Sequence, residues 1–307
     1  MVRAARRGAS RRVRRLGSRG EALTLVVRQS RFLHYNAGAF VSNGEACLVD
    51  PGILQEETAA LVEECGDAEL QAVVLTHADW DHVLGPEQLP LADVVAHAAY
   101  EEDLDPDGIR VVLARLESHA GLTRTAPFEP PLPSVTFEES MTLAVGELEL
   151  RLEHAPGHAA SMLTLYEPRE ATLWAADVLS DVEIPSILDD LERYERTLES
   201  IDRLEIRLLV PGHGTPSSDR AEIRKRLDED RRYLEQLRSA VTAAVARGAT
   251  LAETAVGCEA ISLRRSEDDA ETHRLNVEKV YADLGGDADP ESVGFARAWK
   301  EVTRAGP

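Results

Sequence analysis

The chain has few cysteines, no long apolar run and a deficit of basic residues. Cys47, Cys65 and Cys258 are scattered and form no Cys-x-x-Cys pair, so we predict reduced thiols in the core rather than a disulfide framework or a cysteine metal site. No apolar stretch approaches the roughly 20 residues of a membrane-spanning helix, which predicts no membrane partner. Acidic residues outnumber basic residues by 55 to 34, and the formal net charge is −21. This charge would repel phosphate backbones and predicts no nucleic-acid partner.

Basic residues are concentrated at the amino terminus. Residues 1–20 contain eight arginines and no acid, and they lack the apolar core of a secretory signal. Such a segment is also compatible with a mitochondrial transit peptide. However, the chain has 31 arginines against three lysines and is rich in alanine, which is typical of GC-rich genomes. We therefore predict a bacterial, cytoplasmic protein with a disordered leader over residues 1–20.

The densest group of chemically active side chains is the segment of residues 76–82, THADWDH. It follows an apolar run, which predicts a strand that ends in a loop. His77 and His82 can each offer a neutral ring nitrogen, and Asp79 and Asp81 are carboxylates at neutral pH. An extended loop can direct alternate side chains to one side. The segment is therefore a candidate site for a divalent metal, and the alternative is a solvated acidic loop.

Three further β-prone runs end shortly before candidate ligands, which are His158, Asp177 and His213. Glycine and proline beside two of these residues permit tight turns. Another run ends at Asp50, which we expect to organise its turn and to hydrogen-bond a ligand imidazole. His154 precedes His158 in the same loop, and we predict that it is structural or supports a neighbouring ligand rather than binding a metal. Ligands on loops at strand ends, held by a rigid sheet, suit a catalytic site.

In order along the chain, six of these residues resemble the signature of the metallo-β-lactamase superfamily; they are His77, Asp81, His82, His158, Asp177 and His213. Residues 50–52 also resemble the early Asp-Pro-Gly turn of that family. The resemblance extends from about residue 22 to about residue 215 and is specific because all six positions match in order. It implies an α/β fold, a four-layer αββα sandwich with metals at one edge.

Asp79 departs from the family signature, His-x-His-x-Asp-His, because it replaces the second histidine, as a carboxylate does in the flavodiiron branch. The resemblance implies one metal held by His77, Asp79 and His158, a second held by Asp81, His82 and His213, and Asp177 bridging them. An oxygen-rich ligand set favours harder ions, so we expect two divalent metal ions, zinc first and iron or manganese as alternatives. If Asp79 does not bind, the site would hold a single metal.

The chain divides into three predicted parts, which are the leader (residues 1–20), a metallo-β-lactamase-fold domain (21–218) and a C-terminal helical region (219–307). Helical apolar spacing predicts helices over residues 107–119 and 187–201, and over much of the sequence beyond residue 219. The C-terminal helices could cap the mouth of the active site or form a homodimer contact.

The resemblance implies a metal-dependent hydrolase that uses a metal-bridged hydroxide on a small-molecule substrate, namely an ester, thioester or lactone. Asp81 would orient the nucleophile and relay its proton. Asp79 motivates an alternative, an iron-dependent redox enzyme such as a dioxygenase or a flavodiiron-like protein. A third hypothesis is a non-catalytic metal-binding or scaffold module. The sequence contains no determinant that identifies the substrate.

Overall fold

The computed structural model describes residues 24–85, 89, 92–120, 124, 127–261, 263, 265–267 and 269–304. The predicted leader, residues 1–20, lies outside these residues. The β-prone runs recognised in the sequence form the strands of two sheets.

The first sheet has six strands in sequential order. They are β1 (Thr24–Gln29), β2 (Asn36–Ser42), β3 (Glu45–Val49), β4 (Glu69–Val74), β5 (Asp93–His97) and β6 (Val135–Phe137). Strands β1, β2 and β3 pair antiparallel, and β3 to β6 pair parallel. A tight turn at Asn43 and Gly44 joins β2 to β3, with positive φ at both residues, as the sequence predicts for an Asn-Gly pair.

The second sheet has five strands in the order β11-β10-β9-β8-β7. They are β7 (Ser140–Val145), β8 (Leu148–His154), β9 (Leu163–Glu167), β10 (Thr172–Trp174) and β11 (Leu208–Val210). Neighbours from β7 to β10 pair antiparallel, whereas β10 and β11 pair parallel. Strands β10 and β11 therefore present their carboxyl ends at the same edge of the sheet, which places the loops that follow them side by side.

Successive side chains of a strand point to opposite faces, and this alternation creates separate cores. Val27 and Val74 belong to the core between the two sheets, whereas Val26 and Val73 belong to a core on the outer face of the first sheet. Trp174 is fully buried between the sheets and lies against Gly38, where a Cβ atom would collide with the indole ring. The apolar surface buried in these layers is the main stabilising contribution to the fold.

Helices cover the outer faces of both sheets or pack on the helices that do so. They are α1 (Gln55–Glu64), α2 (Tyr100–Asp103), α3 (Pro106–Ala120), α4 (Leu191–Asp202), α5 (Arg220–Ala246), α6 (Leu251–Cys258), α7 (Asp269–Asp283) and α8 (Gly294–Arg304). Side chains of α4, α5 and α7 share one core with the second sheet. The predicted αββα sandwich with C-terminal helices is thus confirmed, and the division of the chain at residues 20 and 218 stays a prediction.

The helix predicted over residues 187–201 begins later than expected. Asp190 adopts an extended conformation and its side chain accepts a hydrogen bond from the backbone N–H of Arg193, so α4 begins at Leu191. Ile187 lies before this cap, outside the helix, and its N–H donates to Asn276 of α7, 2.9 Å away. The residues before α4 are thus held by a distant part of the chain.

Within the described part of the chain, no helix combines the length and the apolar content needed to cross a bilayer. Cys47 and Cys258 are buried and Cys65 is partly buried, and all three are free thiols.

Candidate metal centre

The predicted ligands lie on four loops that follow strands. The loop after β4 carries His77, Asp79, Asp81 and His82, and the loops after β8, β10 and β11 carry His158, Asp177 and His213. The first of these loops is not extended throughout. The N–H of His82 donates to the carbonyl of Asp79, 3.0 Å away, and this turn directs the two halves of the segment to different partners.

The first half of the loop meets His158. The Asp79 carboxylate lies 3.7 Å from Nε2 of His77 and 3.3 Å from Nε2 of His158. Asp177 approaches the same two nitrogens at 3.7 Å and 3.6 Å. His77 is completely buried, and Asp79 lies closer to solvent.

The second half of the loop meets His213. Nε2 of His213 lies 3.1 Å from Asp81 Oδ2, and Nε2 of His82 lies 3.9 Å from the same atom. Asp177 again joins the group, with Oδ1 3.2 Å from His82 Nε2 and Oδ2 3.5 Å from His213 Nε2. Asp177 therefore contacts both groups through its two oxygens, as a carboxylate that bridges two ions would.

These separations match the spacing of ligands around metal ions. Two ligands of a tetrahedral ion, bound at about 2.0–2.2 Å, lie about 3.4 Å apart, and most of the nitrogen–oxygen distances above fall near this value. Among the described residues, the buried Nε2 atoms of His77, His82 and His158 and Oδ1 of Asp177 have no hydrogen-bond partner. Buried polar atoms normally have one, so a divalent ion within each group would satisfy atoms that the protein leaves unpaired.

Hydrogen bonds at the outer nitrogens fix the tautomers of His77 and His82. The Thr76 hydroxyl donates to Asp50 Oδ2 at 2.7 Å, so it can only accept at His77 Nδ1, 3.0 Å away. Nδ1 of His82 lies 3.0 Å from Asp50 Oδ2, which as a carboxylate oxygen can only accept. Asp50 thus contacts an imidazole of the cluster, as expected, and the role of His82 as a ligand stays a prediction. In the neutral tautomer, both rings carry the proton on Nδ1 and direct the lone pair of Nε2 inwards.

Backbone carbonyls impose the same tautomer on the other two histidines. Nδ1 of His158 lies 3.0 Å from the carbonyl oxygen of Ser186, and Nδ1 of His213 lies 3.0 Å from that of Leu33. A carbonyl accepts only, so each ring donates from Nδ1. All four imidazoles can thus present Nε2 to a metal, which is the arrangement that metal-binding histidines adopt.

The charges of the centre also favour a cation. Burial opposes ionisation of the Asp79 carboxyl, but the imidazoles of His77 and His158 outweigh burial and hold the pKa of Asp79 well below its usual range. Burial likewise opposes protonation of His158, but the neighbouring carboxylates of Asp79 and Asp177 raise its pKa to about 9. The carboxylates therefore favour positive charge beside them, and a divalent ion would supply that charge in place of protons.

The sequence of the chain matches the model of a known protein family. The model of the family described as the metallo-beta-lactamase superfamily matches residues 31–213, a span that contains every predicted ligand. The chain belongs to the metallo-beta-lactamase superfamily. The resemblance inferred from the sequence signature is confirmed, and the assignment of individual ligands stays a prediction supported by the geometry above.

Relatives within the superfamily match only part of the chain. It is 32% identical to an uncharacterized protein of Aquifex aeolicus (strain VF5) over 139 residues, which cover 45% of this chain and 61% of that protein. It is 26% identical to the Homo sapiens acyl-coenzyme A thioesterase MBLAC2 over 179 residues, which cover 54% of this chain and 63% of that protein. The chain thus spans less than two thirds of the length of these relatives.

Solved structures support the fold. The stereoselective inverting sec-alkylsulfatase of Pseudomonas sp. superposes with a TM-score of 0.66 at 19% identity, covering 87% of this chain and 51% of that one. A metallo-beta-lactamase family protein of Thermus thermophilus gives a TM-score of 0.58 at 20% identity, covering 83% of this chain and 91% of that one. At these identities the likeness concerns the fold alone.

Several supporting residues were not predicted from the sequence. The ring of Tyr35 lies edge-on to His82 and His213, with centroids 5.0 Å and 5.5 Å apart, and its hydroxyl donates to the Asp50 carbonyl at 2.9 Å. Asn36 donates to the carbonyls of residues 211 and 214, on both sides of His213, at 2.8 Å each. No local pattern marks these residues, because their partners lie far along the chain.

Two other side chains complete the surroundings of the centre. A carboxylate oxygen of Glu183 lies 3.9 Å from Nδ1 of His213, at the rim of a small cavity that His158 and Asp177 also line. Nothing in its sequence context distinguishes Glu183 from other acids. Outside the cluster, His154 stacks on His97 with ring centroids 3.6 Å apart, and its Nε2 contacts the carbonyl oxygen of Ala160 at 2.8 Å. These contacts agree with the prediction that His154 does not bind a metal, and its role stays a prediction.

Proposed function

We propose that the chain is a metal-dependent hydrolase that acts on a small ester, thioester or lactone. It would use two divalent ions, with zinc as the preferred metal. One observation carries the proposal: four imidazoles with their Nδ1 atoms engaged direct Nε2 atoms towards three carboxylates, within 3.1–3.9 Å of them. One ion would be held by His77, Asp79 and His158, and the other by Asp81, His82 and His213. Asp177 would bind both ions. The carboxylates supply negative charge that offsets the charge of the ions.

When bound, such ions lower the pKa of a water molecule towards neutrality and polarise the oxygen of the substrate. The protein contributes orientation and proton transfer. Asp81 is nearly buried and its Oδ2 faces His213, so Oδ1 is the atom that would orient the attacking water and take up its proton. Asp50 and Thr76 hold His77 and His82 in their tautomers, and Asp177 keeps the two groups of ligands together.

The substrate class rests on the relatives. Three of the matched proteins, from Homo sapiens, Bos taurus and Gallus gallus, carry the name acyl-coenzyme A thioesterase. A thioester carbonyl is a suitable target for the same nucleophile that would attack an ester or lactone. Thioesters of small acids are therefore the first substrates to test, and we propose no nucleic-acid or membrane partner because the chain is strongly acidic.

The test combines metal content with turnover. The purified protein should contain zinc and hydrolyse at least one member of a panel of acyl-coenzyme A thioesters, aryl esters and lactones. Asp81→Asn should lower kcat by about 10²- to 10⁴-fold, the usual contribution of general acid–base groups. Glu192→Gln is the matched control, because Glu192 is a solvent-exposed acid that pairs with Arg196 on α4. Tight metal binding without turnover on the whole panel would count against the proposal.

Asp79 supports a second candidate, an iron-dependent redox enzyme. Its carboxylate occupies the position between His77 and His158, and a hard oxygen ligand there favours iron or manganese over zinc. Anaerobic purification followed by optical and electron paramagnetic resonance spectroscopy would distinguish the two candidates. A colourless protein loaded with zinc would contradict the redox candidate.

A further inference from the structure

Helix α7 inserts a fully buried amide behind the metal centre. Asn276 has no solvent-exposed surface, and its side chain points towards residues 185–187, which form no helix or strand. A buried amide must find partners for its oxygen and for both hydrogens of its nitrogen. The partners that Asn276 uses place it in the support of the centre rather than in the packing of α7 alone.

The amide holds the backbone on both sides of Ser186. Nδ2 donates to the carbonyl of Pro185 at 2.6 Å, and Oδ1 accepts the N–H of Ile187 at 2.9 Å. The Ile187 N–H belongs to the same peptide group as the Ser186 carbonyl, so the second contact restrains the orientation of that group. The carbonyl of that peptide, on Ser186, accepts Nδ1–H of His158 at 3.0 Å. Asn276 therefore binds the N–H end of the peptide group whose carbonyl fixes the tautomer of a predicted ligand.

A second set of contacts fixes the amide itself. Nδ2 also donates to the hydroxyl of Tyr233 at 2.9 Å, and this hydroxyl lies 2.9 Å from Nδ1 of His273. Nε2 of His273 lies 3.0 Å from the carbonyl of Cys258, which only accepts. In the neutral ring, Nδ1 must therefore accept from Tyr233. Every donor and acceptor of Asn276 is engaged, and a fully satisfied buried network is rigid.

We propose that Asn276 is a positioning residue for the metal held by His77, Asp79 and His158, acting through the Ser186 carbonyl on His158. The inference rests on the proposed metal-dependent function. It gives the C-terminal helices a role in the active centre, because α7 fixes the orientation of a ligand that belongs to the sandwich. Loss of the amide would leave Ser186 free to turn and His158 free to exchange its tautomer, and a ligand without its supporting hydrogen bond typically loses 10- to 100-fold in metal affinity.

The experiment measures zinc affinity by competition with a chelator. Asn276→Ser, which cannot span both backbone groups, should bind one of the two zinc ions about tenfold or more less tightly than the natural chain does, and the other ion with unchanged affinity. Tyr281→Phe is the matched control. Tyr281 is a buried residue of the same helix whose hydroxyl donates to the carbonyl of Ala249 at 2.9 Å, so its loss should lower stability and leave zinc affinity within about twofold.

A double-mutant cycle separates positioning from general destabilisation. In a His158→Ala background, Asn276→Ser should cause no further loss of zinc affinity, because the ligand on which it acts is gone. An equal loss in both backgrounds, or an affinity for Asn276→Ser equal to that of Tyr281→Phe, would overturn the inference. The natural chain supplies the remaining control. If it binds no zinc, the proposed function fails, whereas normal zinc binding with no effect of Asn276→Ser refutes this inference alone.

Discussion

Replacement of Asp50 by asparagine should weaken metal binding without any change in the ligands. Asp50 is completely buried. Its Oδ1 accepts the N–H of Thr76 at 2.8 Å, and its Oδ2 accepts the hydroxyl of Thr76 and Nδ1–H of His82. All three groups donate to the carboxylate. An asparagine of the same shape offers one acceptor and one donor group, so one of these positions must lose its partner.

Either orientation of the new amide disturbs the centre. If its oxygen accepts from the N–H of Thr76, its NH₂ group faces His82, and the imidazole must become an acceptor at Nδ1. The proton then moves to Nε2, where it blocks the lone pair that faces Asp177 at 3.2 Å. If the amide is reversed, its NH₂ group meets the N–H of Thr76, and the turn loses a buried hydrogen bond.

The expected loss is about 10- to 100-fold in affinity for the ion held by Asp81, His82 and His213. This corresponds to about 1.4–2.7 kcal/mol, at about 1.4 kcal/mol per factor of ten. Zinc competition at fixed pH measures it. Thr58→Val is the matched control, because the Thr58 hydroxyl donates to the Pro51 carbonyl at 2.8 Å in the same turn and contacts no ligand. An Asp50→Asn protein with unaltered affinity for both ions would refute the tautomer argument.

Three further predictions concern the other metal, the pH dependence and the last helix. Asp79→Ala should reduce the zinc content from two ions to one per chain, and retention of two ions would show that Asp79 does not bind. Because the pKa of His158 is raised from 6.5 to about 9, its proton stabilises the metal-free fold below pH 6.5, and this contribution is lost as the pH rises through 9. Zinc affinity measured by chelator competition should therefore increase about tenfold per pH unit per proton displaced up to about pH 9; a flat profile from pH 7 to 9 would contradict this. Trp299→Phe removes the hydrogen bond from α8 to Asp105, 2.7 Å long. It should lower the free energy of unfolding by about 1 kcal/mol in denaturant titrations and leave kcat unchanged, whereas an altered kcat would place α8 in the active centre.

The sequence predicted the loops of the centre because each one follows a short β-prone run. His158 and His213 are recognisable locally, by the proline and glycine that precede them. The local sequence does not show that these loops come together in space. No spacing along the chain brings the loops after β4, β8, β10 and β11 together, and only the resemblance to a family predicted that His77 and His158 would meet.

The supporting contacts could not be predicted, because they join distant residues. Asn276 meets Ile187 across 89 positions, in a segment where the sequence predicted a helix over residues 187–201 and the helix instead begins after the Asp190 cap. Helix α8 lies within the predicted C-terminal helical region, residues 219–307, and its apolar residues Phe295, Ala298, Trp299 and Val302 follow helical spacing. The contact of Asn276, by contrast, leaves no trace in the local sequence.

The most direct test of the account is the number of divalent ions that the protein binds. The chain is stripped of metal, titrated with zinc and measured by mass spectrometry of the metal content after removal of free zinc. Seven side chains arranged in two groups around Asp177 predict two ions per chain in the natural protein, and fewer in Asp177→Ala. A natural protein that holds one ion or none at saturation, or an Asp177→Ala protein that still holds two with unchanged affinity, would contradict the account.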